Sequence, residues 1–141
     1  METETEKKKI LIIDDDSFLL DMYALKFSQN NFEVYSAENG VHALEKLKGG
    51  LVPDILLVDI IMPEMDGFEM LTQVNAQKLC PNSVKIILTN KSEQDDFKEG
   101  SRLGVAGYIV KASSTPGEVI EQAVKILEKS PKLRSAGEAE N

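Results

Sequence analysis

Short apolar runs alternate with longer segments of helical periodicity along most of the chain, and this alternation constrains the fold more than any other feature. Four of the runs are rich in β-branched residues and barely alternate between apolar and polar positions: Ile10–Ile13, Ile55–Val58, Val84–Leu88 and Tyr108–Val110. This pattern is typical of strands that are buried on both faces. A fifth run, Phe32–Ser36, alternates apolar and polar residues, as an edge strand does.

The segments between and after these runs are predicted to be helices. They are Ser17–Gln29, Asn39–Lys48, Asp66–Lys78, Ser92–Leu103 and Thr115–Lys129. The third and fifth begin with capping boxes, in which an Asp or Thr is followed three residues later by Glu. Strands that alternate with helices need right-handed crossover connections. The sequence therefore predicts an α/β fold with a parallel sheet that is covered by helices on both faces.

Length and composition favour a single acidic domain. We expect one domain over residues 9–129 of the 141-residue chain, a frayed N-terminus over 1–8 and a disordered tail over 130–141. The net charge of −8 argues against electrostatic binding to nucleic acid or to an anionic membrane. No apolar run is long enough to span a membrane, and a single cysteine excludes an internal disulfide. These features predict a cytoplasmic protein that binds neither nucleic acid nor membrane.

Polar residues follow four of the predicted strands. Asp14, Asp15 and Asp16 follow the first strand, Asp59 the third, Thr89 the fourth and Lys111 the fifth. Ligands of parallel α/β sheets bind beyond the carboxyl ends of the strands, so these side chains are candidates for one site. The alternative is that they are helix caps and solvated loop ends, and we assign Asp16 to capping of the helix at Ser17.

Three converging carboxylates would repel one another strongly unless a cation lay between them. Oxygen ligands without a histidine or cysteine cluster favour Mg²⁺. Lys111 supplies a positive charge for a phosphoryl group, and Thr89 supplies a hydroxyl donor. A carboxylate beside Mg²⁺ and a lysine is the arrangement of an aspartyl-phosphate nucleophile, and Asp59 is the candidate for it.

Four motifs in this order resemble the receiver domain of bacterial two-component response regulators. They are KILIIDDD at 9–16, LVDIIMPEMDG at 57–67, IILT at 86–89 and GYIVK at 107–111. The chain is similar to the CheY-like subset that consists of a receiver alone. The resemblance implies a doubly wound, flavodoxin-like sheet of five strands in the order 2-1-3-4-5, with five helices. It also implies transfer of a phosphoryl group to Asp59 from a sensor histidine kinase, a phosphotransfer protein or a small acyl phosphate.

The resemblance also assigns a metal site. By the pattern of the family, Asp15, Asp59 and the backbone carbonyl of Ile61 bind Mg²⁺, and Asp14 contributes through a coordinated water.

A third implication concerns the phosphoryl group and the switch. Thr89 would bond a phosphoryl oxygen, and Lys111 would pair with the phosphorylated Asp59. Tyr108 would turn inward as Thr89 moves, which would change the face built by the fourth helix, the fifth strand and the fifth helix. A downstream protein target would bind that face.

The chain departs from the family at a few positions near the site. Ala112 follows Lys111 where the family commonly has proline, often after a cis peptide bond. Asn90 replaces the usual small residue after the threonine. Ile61 and Lys91 occupy variable positions at which the family tunes the loss of the phosphoryl group.

Two other functions remain as alternatives to a signalling switch without a turnover substrate. The chain could be a haloacid-dehalogenase-like phosphatase with Asp14 as nucleophile and Asp16 two residues later. Against this, the usual Gly-Thr after the second Asp is absent, and the chain has little room for a cap domain. The other alternative is a degenerate receiver that acts as a constitutive scaffold.

The last predicted helix has a wide apolar face. Val119 and Ile126 broaden the stripe that packs on the core. This width fits either a broad core contact or a surface for a partner, including a homodimer through this helix.

Overall fold

The computed structural model describes residues 7–90 and 94–130, without the side chains of residues 94–96. The strands in this part of the chain are β1 (Lys8–Ile13), β2 (Phe32–Ala37), β3 (Ile55–Asp59), β4 (Val84–Thr89) and β5 (Gly107–Val110). The helices are α1 (Ser17–Gln29), α2 (Gly40–Lys48), α3 (Gly67–Ala76), α4 (Gln94–Arg102) and α5 (Pro116–Lys129), and a short 3-10 helix spans Lys111–Ser113. None of the described helices is long and apolar enough to cross a membrane.

The five strands form one parallel sheet in the order β2-β1-β3-β4-β5. Every residue of β3 and β4 is buried, as is the second half of β1. The edge strand β2 leaves Glu33 exposed, which accounts for its alternating sequence. The predicted α/β fold and its strand order are confirmed.

Successive residues of the central strands point to opposite faces of the sheet and supply two hydrophobic cores. Ile10 and Ile12 belong to the core that α1 and α5 cover. Leu11 and Ile13 belong to the core that α2 and α3 cover. Since both faces are covered, the functional groups are left to the ends of the strands.

Local hydrogen bonds explain where most helices begin. The Asp16 side chain accepts from the Leu19 N–H at 3.1 Å, so Asp16 is the N-cap of α1 as expected. Both predicted capping boxes are present, at Asp66 and at Thr115. The cap residues lie just outside their helices, so α3 and α5 begin one residue later than predicted.

Some boundaries differ from the prediction for local reasons. Lys8 already pairs with Phe32, so the sheet begins one residue before the predicted domain start. The prediction that α3 continues to Lys78 is wrong, because Lys78 has a left-handed φ of 56°. Ser130 is the buried C-cap of α5 and therefore belongs with the helix rather than with the tail.

Some predictions lie outside the described residues. They are those for residues 1–6, 91–93 and 131–141, which include Lys91 and the start of the fourth helix.

The wide apolar face of α5 contributes to the core. Val119 is fully buried, and Ile126 packs against the same core cluster. Ile126 also lies close to Gly107 of β5, where an added Cβ atom would be 2.6 Å from its Cδ1. These contacts favour the core interpretation of both residues, and a homodimer through α5 stays a prediction.

Candidate functional site

Four strand ends bring the predicted site residues to one edge of the sheet. Asp14 directly follows β1, Asp59 and Thr89 are the last residues of β3 and β4, and Lys111 directly follows β5. Asp14, Asp59 and Thr89 are buried, and the Lys111 side chain is only 7% exposed. Charged groups with so little access to water must be compensated by one another or by a ligand.

Three carboxylates form the acidic part of the site. One carboxylate oxygen from each of Asp14, Asp15 and Asp59 lies within 4.8 Å of the other two. Asp15 is exposed, whereas the other two are buried. This set of oxygen donors fits a hard divalent cation. The fourth predicted ligand, the carbonyl of Ile61, belongs to the loop that follows β3, and the Ile61 side chain faces outward.

Lys111 contacts two of the three carboxylates. Its Nζ donates a hydrogen bond to Asp14 Oδ2 at 2.9 Å and lies 3.5 Å from Asp59 Oδ2. The other oxygen of Asp14 accepts from the Asp16 N–H at 3.0 Å. Both oxygens of Asp14 are therefore engaged, and Asp59 is the more weakly paired of the two buried acids.

The electrostatics of the site follow from this unequal pairing. Burial raises the pKa of Asp59 from 3.8 to about 7; Lys111 opposes the rise, and the charges of Asp14 and Asp15 add to it. Burial alone would lower the pKa of Lys111, but the hydrogen bond with Asp14 and the charge of Asp59 outweigh burial and raise it. The site thus holds a charged lysine beside Asp59, whose negative charge the lysine compensates only in part.

Gly67 allows α3 to pack directly on the main chain of Asp59. Its N–H donates to the Ile60 carbonyl at 2.7 Å. A Cβ atom at position 67 would lie 2.4 Å from the backbone oxygen of Asp59, closer than any side chain permits. The absence of a side chain at Gly67 thus fixes the start of α3 against the residue that carries the candidate nucleophile.

Lys111 begins the 3-10 helix that follows β5. The structure has no cis peptide bond between described residues, so the Lys111–Ala112 bond is trans. The Ser114 N–H donates to the Lys111 carbonyl at 3.2 Å and closes the turn. No helical pattern in the sequence predicts this short helix, and its second residue, Ala112, stands where the family commonly has proline.

The two predicted switch residues lie on neighbouring strands. Thr89 is paired with Val110 across β4 and β5, and Tyr108 is paired with Ile87. The Tyr108 hydroxyl donates to the backbone carbonyl of Phe97 at 3.1 Å, so this side chain is directed towards α4.

Tyr23 is a residue near the site that the sequence analysis did not single out. It lies on α1 with its side chain buried in the core; burial raises the pKa of its hydroxyl, while the positive charge of Lys111 lowers it. The negative charges of Asp14 and Asp59 act in the same direction as burial. The one sequence feature that could have indicated this position is a polar hydroxyl among the apolar residues that α1 buries.

The excess negative charge at Asp59 predicts a stabilising substitution. Without metal and near pH 8, Asp59→Asn should raise the free energy of unfolding by about 1–2 kcal/mol, because it removes a poorly compensated buried charge. The folded-state pKa of about 7 lies above the usual 3.8, so the folded wild type binds the proton more tightly than the unfolded chain. Wild-type stability should therefore fall as the pH rises from about 4 to above 7, and the variant should lack this fall.

Urea denaturation in EDTA near pH 5 and pH 8 measures this difference. Asp14→Asn is the matched control, because it removes the hydrogen-bonded partner of Lys111 and should destabilise the protein at both pH values. An Asp59→Asn variant that gains no stability at the higher pH would contradict the charge assignment.

Comparison with known proteins is consistent with this geometry. The family model described as the response regulator receiver domain matches residues 10–125. The chain is 31% identical over 134 residues to the alkaline phosphatase synthesis transcriptional regulatory protein PhoP of Bacillus subtilis, covering 95% of this chain and 54% of that protein. It is 33% identical over 129 residues to the transcriptional regulatory protein ResD of the same organism, covering 90% of this chain and 51% of that protein. The chain thus spans about half the length of these curated relatives.

Solved structures of similar fold include proteins of about the size of this domain. The Vibrio cholerae chemotaxis protein CheY4 superposes with a TM-score of 0.79 at 26% identity, covering 86% of this chain and 99% of that one. A CheY-like receiver domain protein from Methanospirillum hungatei superposes with a TM-score of 0.78 at 27% identity, covering 88% and 96%. The family match gives no support to the phosphatase alternative. The chain belongs to the response regulator receiver domain family of two-component systems.

Proposed function

We propose that this chain is a phosphorylatable signalling switch that accepts a phosphoryl group on Asp59 and then changes its binding to a protein partner. Receiver domains are signalling switches and are generally not classed as enzymes. The observation that carries the proposal is the pairing of Lys111 with both buried carboxylates at the carboxyl edge of the sheet, 2.9 Å from Asp14 and 3.5 Å from Asp59. A lysine in this position is ready to neutralise charge that is added to Asp59.

The proposed chemistry is transfer of a phosphoryl group to a carboxylate. An Asp59 oxygen attacks the phosphorus of a phosphohistidine or a small acyl phosphate. The bond from phosphorus to the leaving imidazole nitrogen or carboxylate oxygen breaks, its electron pair leaves with that group, and an acyl phosphate forms on Asp59. Lys111 favours the ionised, nucleophilic form of Asp59 and then pairs with the added phosphoryl charge, while Thr89 donates its hydroxyl to a phosphoryl oxygen.

The proposed cofactor is Mg²⁺, held by Asp15, Asp59 and the Ile61 carbonyl, with Asp14 acting through a coordinated water. The clustering of three carboxylate oxygens supports this assignment. When bound, Mg²⁺ supplies positive charge for the phosphoryl oxygens. Asp14 also holds Lys111, and this gives it a second role in the same site.

The proposed partners bind two different surfaces. The phosphoryl donor, a sensor histidine kinase or a phosphotransfer protein, must approach the open edge of the site. Two apolar side chains next to that edge support docking there, since Phe18 is 70% exposed and Ile61 is 69% exposed. The downstream target would bind the face formed by α4, β5 and α5, which carries Tyr108. Because such kinases present the phosphoryl group in the cytoplasm, we propose that compartment.

Specific contacts distinguish this proposal from the two alternatives. Asp14 is fully buried, and its two oxygens already accept from Lys111 and from the Asp16 N–H, so it is a poor nucleophile for a phosphatase. A constitutive scaffold would not need a buried lysine between two buried acids. Burying these three charges costs desolvation free energy, so their presence favours a role in binding a ligand.

Phosphorylation of Asp59 is the first prediction from this proposal. Incubation with Mg²⁺ and acetyl phosphate should add one labile phosphoryl group per chain, detected by intact-mass spectrometry. Asp59→Asn should abolish the label, because the amide is not a nucleophile. Asp21→Asn, at an exposed position on α1, is the matched control and should be labelled like wild type.

The outcome of this experiment separates the alternatives. Label on Asp14, or steady release of inorganic phosphate that depends on Asp14, would support the phosphatase. A wild-type chain that takes up no label under these conditions would support the scaffold and overturn the proposal.

The second prediction separates the role of Lys111 from that of the carboxylates. Lys111→Ala should slow phosphorylation by about a hundredfold, because it removes a preorganised charge from the reaction. Its melting temperature should still rise with Mg²⁺, since all the proposed metal ligands are oxygens and a bound ligand stabilises by mass action.

Lys125→Ala, at an exposed position on α5, is the control and should match wild type in both measurements. Loss of the Mg²⁺ response in Lys111→Ala would mean that the lysine organises the metal site as well, contrary to this division of roles.

A further inference from the structure

Gly100 makes a notch in α4 that holds the hydroxyl end of Tyr108. A Cβ atom at position 100 would lie 1.6 Å from the Tyr108 hydroxyl oxygen and 2.7 Å from its Cζ. Both distances are far below van der Waals contact, so no side chain at position 100 is compatible with this placement of the tyrosine. The contact joins the interior of α4 to the middle of β5.

The backbone does not explain the glycine. Gly100 lies inside α4 and does not have the left-handed φ found at Gly104 (83°) and Gly50 (114°). Glycine in the interior of a helix is less stable than alanine. The missing side chain at position 100 is thus unfavourable for the helix itself, and the space that it leaves is filled by Tyr108.

Two contacts with Phe97, one turn earlier on α4, hold Tyr108 in the notch. The Tyr108 hydroxyl donates to the Phe97 carbonyl at 3.1 Å. The two rings meet edge to face, with centroids 4.6 Å apart and an interplanar angle of 70°. Tyr108 is therefore held by a hydrogen bond, a ring contact and a space that depends on glycine, and all three are on one face of α4.

We propose that Gly100 is a positioning residue for Tyr108. By leaving the notch open, it holds Tyr108 against α4 in the unphosphorylated protein, and any side chain at position 100 displaces the tyrosine. Because Tyr108 lies on β5, three residues before Lys111, the notch also ties α4 to the strand that leads to the lysine of the site. Its effect on signalling rests on the function proposed above: Gly100 sets how strongly the switch favours its resting arrangement.

The test for position uses fluorine NMR of the full chain labelled with 3-fluorotyrosine. The chain has only three tyrosines, and Tyr→Phe variants assign each resonance. Gly100→Ala should shift the Tyr108 resonance and leave those of Tyr23 and Tyr35 in place. Gly117→Ala is the matched control, because an added Cβ atom there meets nothing within 4 Å, and it should shift none of the three. An unchanged Tyr108 resonance in Gly100→Ala overturns the proposal.

A double-mutant cycle tests whether the two residues act together. With Tyr108 present, Gly100→Ala should lower the melting temperature, because the methyl group takes the place of the hydroxyl. In a Tyr108→Ala background the same substitution should raise it, because only the helix preference for alanine remains. The same change in melting temperature in both backgrounds overturns the proposal, even where one variant is much less stable than wild type.

The Tyr108 resonance in the phosphorylated protein distinguishes a failure of this proposal from a failure of the proposed function. Acetyl phosphate with Mg²⁺ should move the wild-type Tyr108 resonance towards the position that Gly100→Ala gives without phosphorylation. A Tyr108 resonance that moves elsewhere or not at all, although Asp59 is phosphorylated, overturns the proposed effect on the switch. A chain that takes up no phosphoryl group overturns the proposed function, while the Gly100→Ala spectra still decide the positioning role.

Discussion

One buried lysine that faces two buried carboxylates is the interaction on which the rest of the site depends. Lys111 hydrogen-bonds Asp14 and lies within ion-pair distance of Asp59, and none of the three groups has much access to water. A buried charge pair recovers its desolvation cost only with good geometry and further hydrogen bonds. Asp14 meets both conditions through Lys111 and the Asp16 N–H, whereas Asp59 is paired, among the described residues, only through the longer contact with the lysine. The raised pKa of Asp59 expresses this deficit.

The parallel sheet allows the fold to tolerate this concentration of charge. The carboxyl ends of β1, β3, β4 and the segment after β5 lie at one edge, so residues far apart in the chain meet without any distortion of the strands. The apolar runs before them are buried on both faces, and this burial offsets the repulsion at the edge. Gly67 and the Asp66 capping box then lock α3 against Asp59. Stability comes from the strand interiors, and the candidate site residues are placed at the strand ends.

Much of this arrangement could be predicted from the sequence, because it depends on local patterns. β-branched runs predict buried strands, the capping boxes at Asp66 and Thr115 mark helix starts, and polar residues at strand ends predict a shared edge. The sequence could not reveal that Lys111 lies nearer to Asp14 than to Asp59, since that choice depends on side-chain geometry after the strands have assembled. The early end of α3 was missed as well, because the left-handed conformation of Lys78 has no strong residue signal.

The contact of Gly100 with Tyr108 was hidden for a related reason. In the sequence alone, a glycine inside a helical segment indicates a less stable helix or part of a glycine motif. Only the packing of α4 against β5 shows that a tyrosine occupies the space beside Gly100. Tyr23 was also missed, because an aromatic residue among the apolar residues of α1 is typical of the hydrophobic core. For Gly100, the informative quantity is a distance between two elements.

The proposed roles of Asp59, Lys111 and the metal ligands can be tested in one crystal structure of the chain, with Mn²⁺ in place of Mg²⁺ and beryllofluoride in place of a phosphoryl group. We expect an anomalous peak between Asp15 and Asp59, beryllium bonded to an Asp59 oxygen, and fluorine atoms within hydrogen-bond distance of Lys111 Nζ and the Thr89 hydroxyl. Metal bound away from these carboxylates, or beryllofluoride attached to Asp14, would contradict it.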